Sequence, residues 1–328
     1  MDLIGIKELP HEIGLLTSLE MLDLSSLLLK SLPKSISSLE KLKYLIASGN
    51  SLSAFPVSIY NLTSLELLDL SSNEIGGTIS EEIGNLSLLT SLSLQMNDIS
   101  GKVPESLSML SDLQFLYLGN NDIADLNTAV LSSNLRELDL QFNKLRLDVA
   151  LIIERLSSIE FLQLGTNRLH GTIPSTIGSL TNIWSLHLSR NVLINGTIPS
   201  SIGDLTLLED LRLFANAITG SIPSEIGMLT QLKHLYLNSN NLSGALPSAL
   251  GRLTHTKTMY LQQNKFLGTI PAELGHLQHA TSFNFALNDF QGKVPNEICD
   301  LKTEGNLTLL KVDCFIRCKC CMDNRNCL

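Results

Sequence analysis

Residues 208–231 read LEDLRLFANAITGSIPSEIGMLTQ, and residues 232–255 read LKHLYLNSNNLSGALPSALGRLTH. Laid over each other, the two segments share apolar residues at positions 1, 4 and 6, Asn at 9, Gly at 13 and Pro at 16. An internal period of this length decides an architecture before any single element is considered.

Extending the frame outward gives starts at Leu19, Leu42, Leu65, Leu89, Leu113, Leu135, Ile159, Ile183, Leu208, Leu232, Thr256, Ala280 and Glu304, spaced 22 to 25 residues and mostly 24. All ten prolines, Pro10, Pro33, Pro56, Pro104, Pro174, Pro199, Pro223, Pro247, Pro271 and Pro295, fall in one slot of it. The start of each unit alternates as a short strand, with Leu inward and its neighbours toward solvent. The Asn column (Asn50, Asn73, Asn97, Asn121, Asn143, Asn167, Asn191, Asn216, Asn240, Asn264, Asn288) follows where the backbone turns. A buried turn must satisfy its own N–H and C=O groups, and an Asn amide can do so for adjacent coils. Gly admits a backbone conformation that a side chain resists. Pro removes a donor at the next bend, and the remainder returns as a short helical or 3-10 turn. Each coil buries its Leu face only against its neighbours, which predicts a solenoid.

The segments ISGKVP, LHGTIP, ITGSIP, LSGALP, FLGTIP and FQGKVP resemble the plant-type class of the leucine-rich repeat family. The repeats from Leu19 and Leu42, with SLPKSISSL and AFPVSIYNL, are 23 residues long, lack the Gly, and are closer to the intracellular Ras-associated class. The pattern is broken at Leu27, where Asn is expected, at Ser80, where Pro is expected, and across Asn121 to Ser158. The resemblance implies an α/β repeat solenoid, a curved right-handed coil with a parallel sheet on its concave face and short helices or 3-10 turns on its convex face. Residues 1–303 are expected to form this array, about twelve full repeats plus a truncated first one, and 304–328 a cysteine-rich C-terminal cap.

Aligning Leu9-Pro10 with Phe55-Pro56 places Met1 at the last inward position of a strand, so the chain is expected to be truncated, with Leu19, Leu22 and Leu24 at an open apolar end. The opening MDLIGIKELPHEIGLL lacks the basic and continuously apolar regions of a secretory signal, which says little if the chain is truncated. At the other end, Cys314, Cys318, Cys320, Cys321 and Cys327 follow a C-x3-C-x-C-C-x5-C spacing, with Cys299 as the sixth. Two C-x2-C pairs set apart by a finger-length loop, as zinc sites usually show, are missing, and an even number of cysteines at a solenoid end favours a disulfide-stapled cap over a metal site or free thiols. The tail also resembles the terminal segments of algal and diatom cell-surface repeat proteins. Five glycosylation sequons, at Asn61, Asn85, Asn195, Asn241 and Asn306, are compatible with export. About four would arise by chance in so Asn-, Ser- and Thr-rich a chain.

Apolar residues make up 44% of the chain and aromatics 5%, so the core is aliphatic. A formal charge of −9 disfavours a nucleic-acid surface, and no apolar run is long enough to span a bilayer. No GxSxG, HExxH, P-loop or GxGxxG motif is present, and no cofactor or catalytic group is expected. His276 and His279, three apart in the return segment, read as a solvated pair, as do Glu81 and Glu82.

What remains is the concave sheet. Its solvent-facing columns are expected to hold Phe115, Tyr117, Phe142, Phe161, Trp184, Phe214, Tyr236 and Tyr260, with Asp139, His187, Asp210, Arg212 and His234 among them. Aromatics with Arg are favoured at binding hot spots, although neighbouring rings can also stack merely to stabilise a sheet. The first strands show instead Ser25, Ser48, Ser71 and Ser72. The reading is a non-enzymatic recognition module, the ectodomain of a receptor-like or secreted protein that takes a protein, peptide or glycan, with a possible co-receptor. Two alternatives stand beside it: an intracellular scaffold in the cytoplasm, suggested by the two 23-residue repeats and the absent signal, and an inhibitor of secreted glycan-degrading enzymes, which the plant-type resemblance implies.

Overall fold

The structure, a computed structural model, describes residues 7–313 and 316–320. Two compact units divide the chain, one of Met1–Leu147 with Arg155–Ile159, the other of Asp148–Glu154 with Glu160–Leu328.

In the first unit the strands Met21–Asp23, Tyr44–Ile46, Leu67–Asp69, Ser91–Ser93, Phe115–Tyr117 and Glu137–Asp139 pair in parallel, each with the next. In the second, Phe161–Gln163, Ser185–His187, Asp210–Arg212, His234–Tyr236, Thr258–Tyr260, Ser282–Asn284 and Leu309–Lys311 do the same. The central residue of every strand pairs with the central residue of its neighbour, so Leu162, Leu186, Leu211, Leu235, Met259, Phe283 and Leu310 form one buried column. The flanking residues of each strand face the other way, as strand alternation requires. Among the first coil's leucines, Leu24 is buried, while Leu19 and Leu22 are half-buried.

The Asn column closes the coils. Asn240 donates through Nδ2 to the carbonyls of Leu213 (2.9 Å) and Leu237 (3.1 Å) and accepts through Oδ1 from the Ile218 N–H (3.1 Å). One amide thus ties two coils, as its donor and acceptor pair allows. At Leu27 the missing Asn is covered by Asn50, whose Oδ1 takes both the Leu27 and Leu29 N–H groups. Beyond Asn288 the column ends on Asp313, a buried carboxylate that accepts from the N–H groups of Leu287 (2.6 Å) and Asn288 (3.2 Å).

Each Pro but Pro295, which precedes the helix Asn296–Thr303, stands just before a 3-10 turn in extended conformation, and its carbonyl accepts the N–H three residues on, as at Pro223 and Ile226 (3.1 Å). Ser80 adopts the same conformation and its carbonyl takes the Ile83 N–H, so the substitution for Pro leaves the turn Glu81–Asn85 intact. Where the pattern breaks, side-chain caps replace Pro: Asn127 accepts from Ala129 N–H ahead of Thr128–Val130, and Asp148 from Ala150 N–H ahead of the helix Val149–Ile153.

The segments that follow the Asn column, LxGxIP in most coils, pair as narrower parallel sheets. Gly76–Gly77, Asp98–Val103 and Asp122–Leu126 form one in the first unit; in the second, His170–Thr172 pairs with Leu193–Asn195, and Thr219–Gly220, Asn241–Gly244, Lys265–Gly268 and Asp289–Phe290 make another. The 23-residue coils contribute a single bridge, Ala54 to Gly76. In these segments Gly220 and Gly244 have φ of 76° and 79°, where a side chain is disfavoured.

Cys299, in the helix Asn296–Thr303, is disulfide-bonded to Cys320 with Cα atoms 5.3 Å apart, and Cys318 is disulfide-bonded as well. Cys314, Cys321 and Cys327, and Met1 at the other end, lie outside the described residues. Among the described residues no helix is long and apolar enough to cross a membrane.

Candidate functional site

The outward positions of the second unit's strands form two side-chain columns by register. One holds Phe161, Ser185, Asp210, His234, Thr258 and Ser282, the other Gln163, His187, Arg212, Tyr236, Tyr260 and Asn284. Asp210 is their centre. Arg212 Nε lies 3.0 and 3.1 Å from the two Asp210 oxygens, Arg212 Nη2 is 2.7 Å from Oδ2, and His187 Nε2 reaches Oδ2 at 3.2 Å. Ser185 Oγ is 3.3 Å from the same imidazole nitrogen. Burial works to raise the Asp210 carboxyl, but hydrogen bonds from His187 and Arg212, with their charges, outweigh it and hold its pKa below the ordinary value. The same hydrogen bond raises Arg212.

Arg212 in turn lies over the Tyr236 ring, 5.2 Å from its centroid. Tyr236 is enclosed on its other sides, with His234 stacked at 6.1 Å and Tyr260 edge-on at 5.2 Å. The Thr258 hydroxyl donates to the Tyr236 oxygen (3.1 Å), which leaves Thr258 to accept from His234 Nδ1 (2.9 Å); Ser282 donates to the Tyr260 oxygen (3.0 Å). Burial lowers the His234 pKa. These rings build a fixed surface more than a set of free anchors.

Trp184 and Phe161 differ. Their rings meet at 5.1 Å and 38°, and Trp184 remains 41% exposed. Trp184 is held by its backbone, which accepts from the N–H groups of Glu209 (2.8 Å) and Asp210 (3.1 Å) and donates to the Glu160 carbonyl (2.9 Å). Phe214, one step beyond its strand, lies under the Arg190 guanidinium at 5.7 Å.

On the first unit, Phe115 pairs in register with Glu137 and Tyr117 with Asp139. The Tyr117 hydroxyl donates to Glu137 (2.7 Å); burial and that carboxylate raise its pKa. Asp139, expected to face solvent, is buried instead. A Cβ at Gly119 would lie 2.7 Å from Asp139 Oδ1, so the missing side chain makes the space into which the carboxylate turns to accept the Gln141 N–H at 2.9 Å. Phe142, beyond the same strand, is 49% exposed.

Sequence reasoning named the aromatic and charged members and missed Ser185, Thr258 and Ser282, the hydroxyls that orient them. Their signal was positional, since each occupies the same column as Asp210. All five sequon asparagines, Asn61, Asn85, Asn195, Asn241 and Asn306, are exposed.

Two family descriptions match the sequence, "Leucine-rich repeat region" over residues 1–148 and "Leucine Rich Repeat" over 231–253. Among solved structures the chain is similar to a TDR receptor, at 32% identity over 90% of this chain and 52% of that one, with a TM-score of 0.86. It is also similar to PEPR1 in the PEPR1–AtPEP1 structure, at 33% identity over 93% of this chain and 43% of that one, with a TM-score of 0.84. The Arabidopsis receptor kinase HAESA, in complex with the peptide hormone IDA and the co-receptor SERK1, gives 30% identity over 90% and 55% of the two chains and a TM-score of 0.79. The chain spans about half the length of these structures. No curated protein matches it significantly.

Proposed function

The chain belongs to the leucine-rich repeat family, with repeats of the plant type, and on that premise we propose that it is a recognition module without catalytic machinery, the ligand-binding portion of an extracellular receptor-like or secreted protein. Its ligand is a peptide laid across the sheet face of the second unit. The observation that carries this reading is the exposed Trp184 on Phe161, with a guanidinium already oriented by Asp210 on the next strand. A large ring with few rotatable bonds and a pre-positioned Arg lose little entropy on binding, which is why such residues dominate interfaces. Arg212 spends two of its five N–H donors on Asp210 by geometry, leaving others to meet peptide carbonyls. The structures with which the chain aligns include the receptor kinase HAESA solved with a peptide hormone and a co-receptor. The Cys299–Cys320 bond supports an oxidising, extracellular setting over the cytoplasm.

The test is to pan the intact, oxidised protein against a displayed random-peptide library, with Trp184→Ala and Arg212→Ala as counter-screens. Enriched peptides should bind the unaltered protein and lose most of their affinity for both variants. No enrichment, or peptides that bind the variants equally well, would remove the sheet face as the site.

A further inference from the structure

His255 and His279 hold the same place in consecutive coils of the second unit, in the turn that leads from a 3-10 turn into a strand. His255 Nδ1 lies 2.8 Å from the Thr230 carbonyl oxygen. A carbonyl only accepts, so Nδ1 carries the proton, and the neutral ring presents its Nε2 lone pair outward. A backbone carbonyl on one ring nitrogen is the arrangement that orients a metal-binding histidine and raises the basicity of its other nitrogen. The His279 ring stands over it, with centroids 6.2 Å apart and planes 15° from parallel. Both side chains are exposed.

We propose that His255 and His279 form a two-histidine site for a divalent transition-metal ion, clipping one coil to the next. Imidazole nitrogen suits Zn²⁺, Ni²⁺ and Cu²⁺, whereas Ca²⁺ and Mg²⁺ prefer oxygen. With a Zn–N distance of about 2.0–2.1 Å, the two ligating nitrogens must approach to roughly 3.3 Å in tetrahedral geometry. His255 stays anchored on Thr230, and rotation of the exposed His279 ring about its side-chain bonds closes the gap. Among the described residues no third His, Cys, Asp or Glu joins the two rings, so water fills the remaining positions and the site is open. Sequence spacing paired His279 with His276, but His276 ends the turn Ala272–His276 and lines a separate groove with Arg252 and Glu273. It serves as the internal control.

The experiment is calorimetric titration of ZnCl₂ into untagged, oxidised protein at pH 7.5, with thermal melts run with and without the metal. One saturable site and a rise in melting temperature are expected for the unaltered protein. His255→Ala and His279→Ala should each weaken binding at least tenfold and abolish the rise, while His276→Ala changes neither. CaCl₂ should not compete. Absence of saturable binding overturns the proposal, as does undiminished binding by the His255→Ala/His279→Ala double variant, which would place the ion on other groups. Equal loss in His276→Ala would overturn the assigned pair. The melts without metal show whether each variant folds, so failure to fold is not mistaken for loss of the site.

Discussion

Asp210 holds Arg212 from two residues away on the same strand, through Nε at 3.0 and 3.1 Å and Nη2 at 2.7 Å. Residues i and i+2 share a face in a strand, so this pair needs no long-range fold to meet, only a strand kept straight by its neighbours. Arg212 is 39% exposed at the side chain and Asp210 only 14%, so the carboxylate bears most of the desolvation.

Removing the Asp210 charge should therefore show in acid. Its folded pKa is depressed, so its stabilising contribution is complete above the unfolded value, near 4, and is lost as pH falls through the folded value. Asp210→Asn should lower stability by about 1–2 kcal/mol at pH 7, with water screening of Arg212 limiting the loss. The gap between variant and unaltered protein should stay constant from pH 6 to 8 and close below pH 4. Melting curves in a pH series would show it; a gap that persists unchanged at pH 2.5 would mean that Asp210 acts by shape and not by charge.

The Asn ladder makes a second, directional prediction. Asn240 both donates and accepts, whereas Asp313 at the end of the column only accepts. Asn240→Asp would set a carboxylate against the Leu213 and Leu237 carbonyls and should cost about 2–4 kcal/mol, comparable to leaving buried backbone groups unpaired. Asp313→Asn keeps one acceptor for the Leu287 or Asn288 N–H and should cost less than half as much. Denaturant midpoints for the two variants would decide the order, and equal losses would contradict the assigned roles.

Past the last described strand but one, the Cys299–Cys320 bond closes a separation of 21 residues. The loop-entropy relation gives about 3 kcal/mol for such a closure. Cys320→Ser should lower the melting temperature and expose the end of the array first, so hydrogen exchange should quicken in the strand Leu309–Lys311 ahead of the strand Phe161–Gln163. Uniform exchange across the second unit would show that the bond does not protect the end.

Much of this was legible because each coil repeats the same physical demand. The inward Leu, the Asn column and the Pro slot recur at fixed offsets, and each does in the structure what one copy could only suggest. What a single coil cannot express is its neighbour. From Asn73 to Asn288 the residue before each ladder Asn, such as Ser72, Ala215 or Ser239, has φ between 52° and 58°, a conformation no glycine marks there. Its N–H donates to the coil after, as Ser239 does to the Gln262 carbonyl at 2.9 Å, and at Gln263 the carbonyl also accepts the Asn240 N–H from the coil before at 3.1 Å. Gly227, read as part of the return pattern, is required by a contact 22 positions away, since a Cβ there would lie 2.6 Å from the Ala249 carbonyl oxygen. Asp139 was misplaced for the same reason: alternation gives the face, while the space at Gly119 on the adjoining coil decides where the side chain goes.

That distinction between face and freedom also ranks the binding residues. Tyr236 has Arg212, His234 and Tyr260 around it, so truncating it would disturb the ladder and the surface together. Trp184 touches Phe161 at one side, keeps 41% of its surface open, and owes its place to backbone bonds with Glu160, Glu209 and Asp210. Trp184→Ala should therefore leave the melting temperature nearly unchanged while weakening a bound peptide by about 1–3 kcal/mol, the range of an interface anchor. Ser48, on the plain early strands, is the control, and Ser48→Ala should alter neither property. A fluorescence-anisotropy titration with a labelled peptide from the library would read both variants in one format. If Trp184→Ala binds like the unaltered protein while Tyr236→Ala loses binding in proportion to its lost stability, the rings are stacked to hold the sheet, and recognition lies elsewhere.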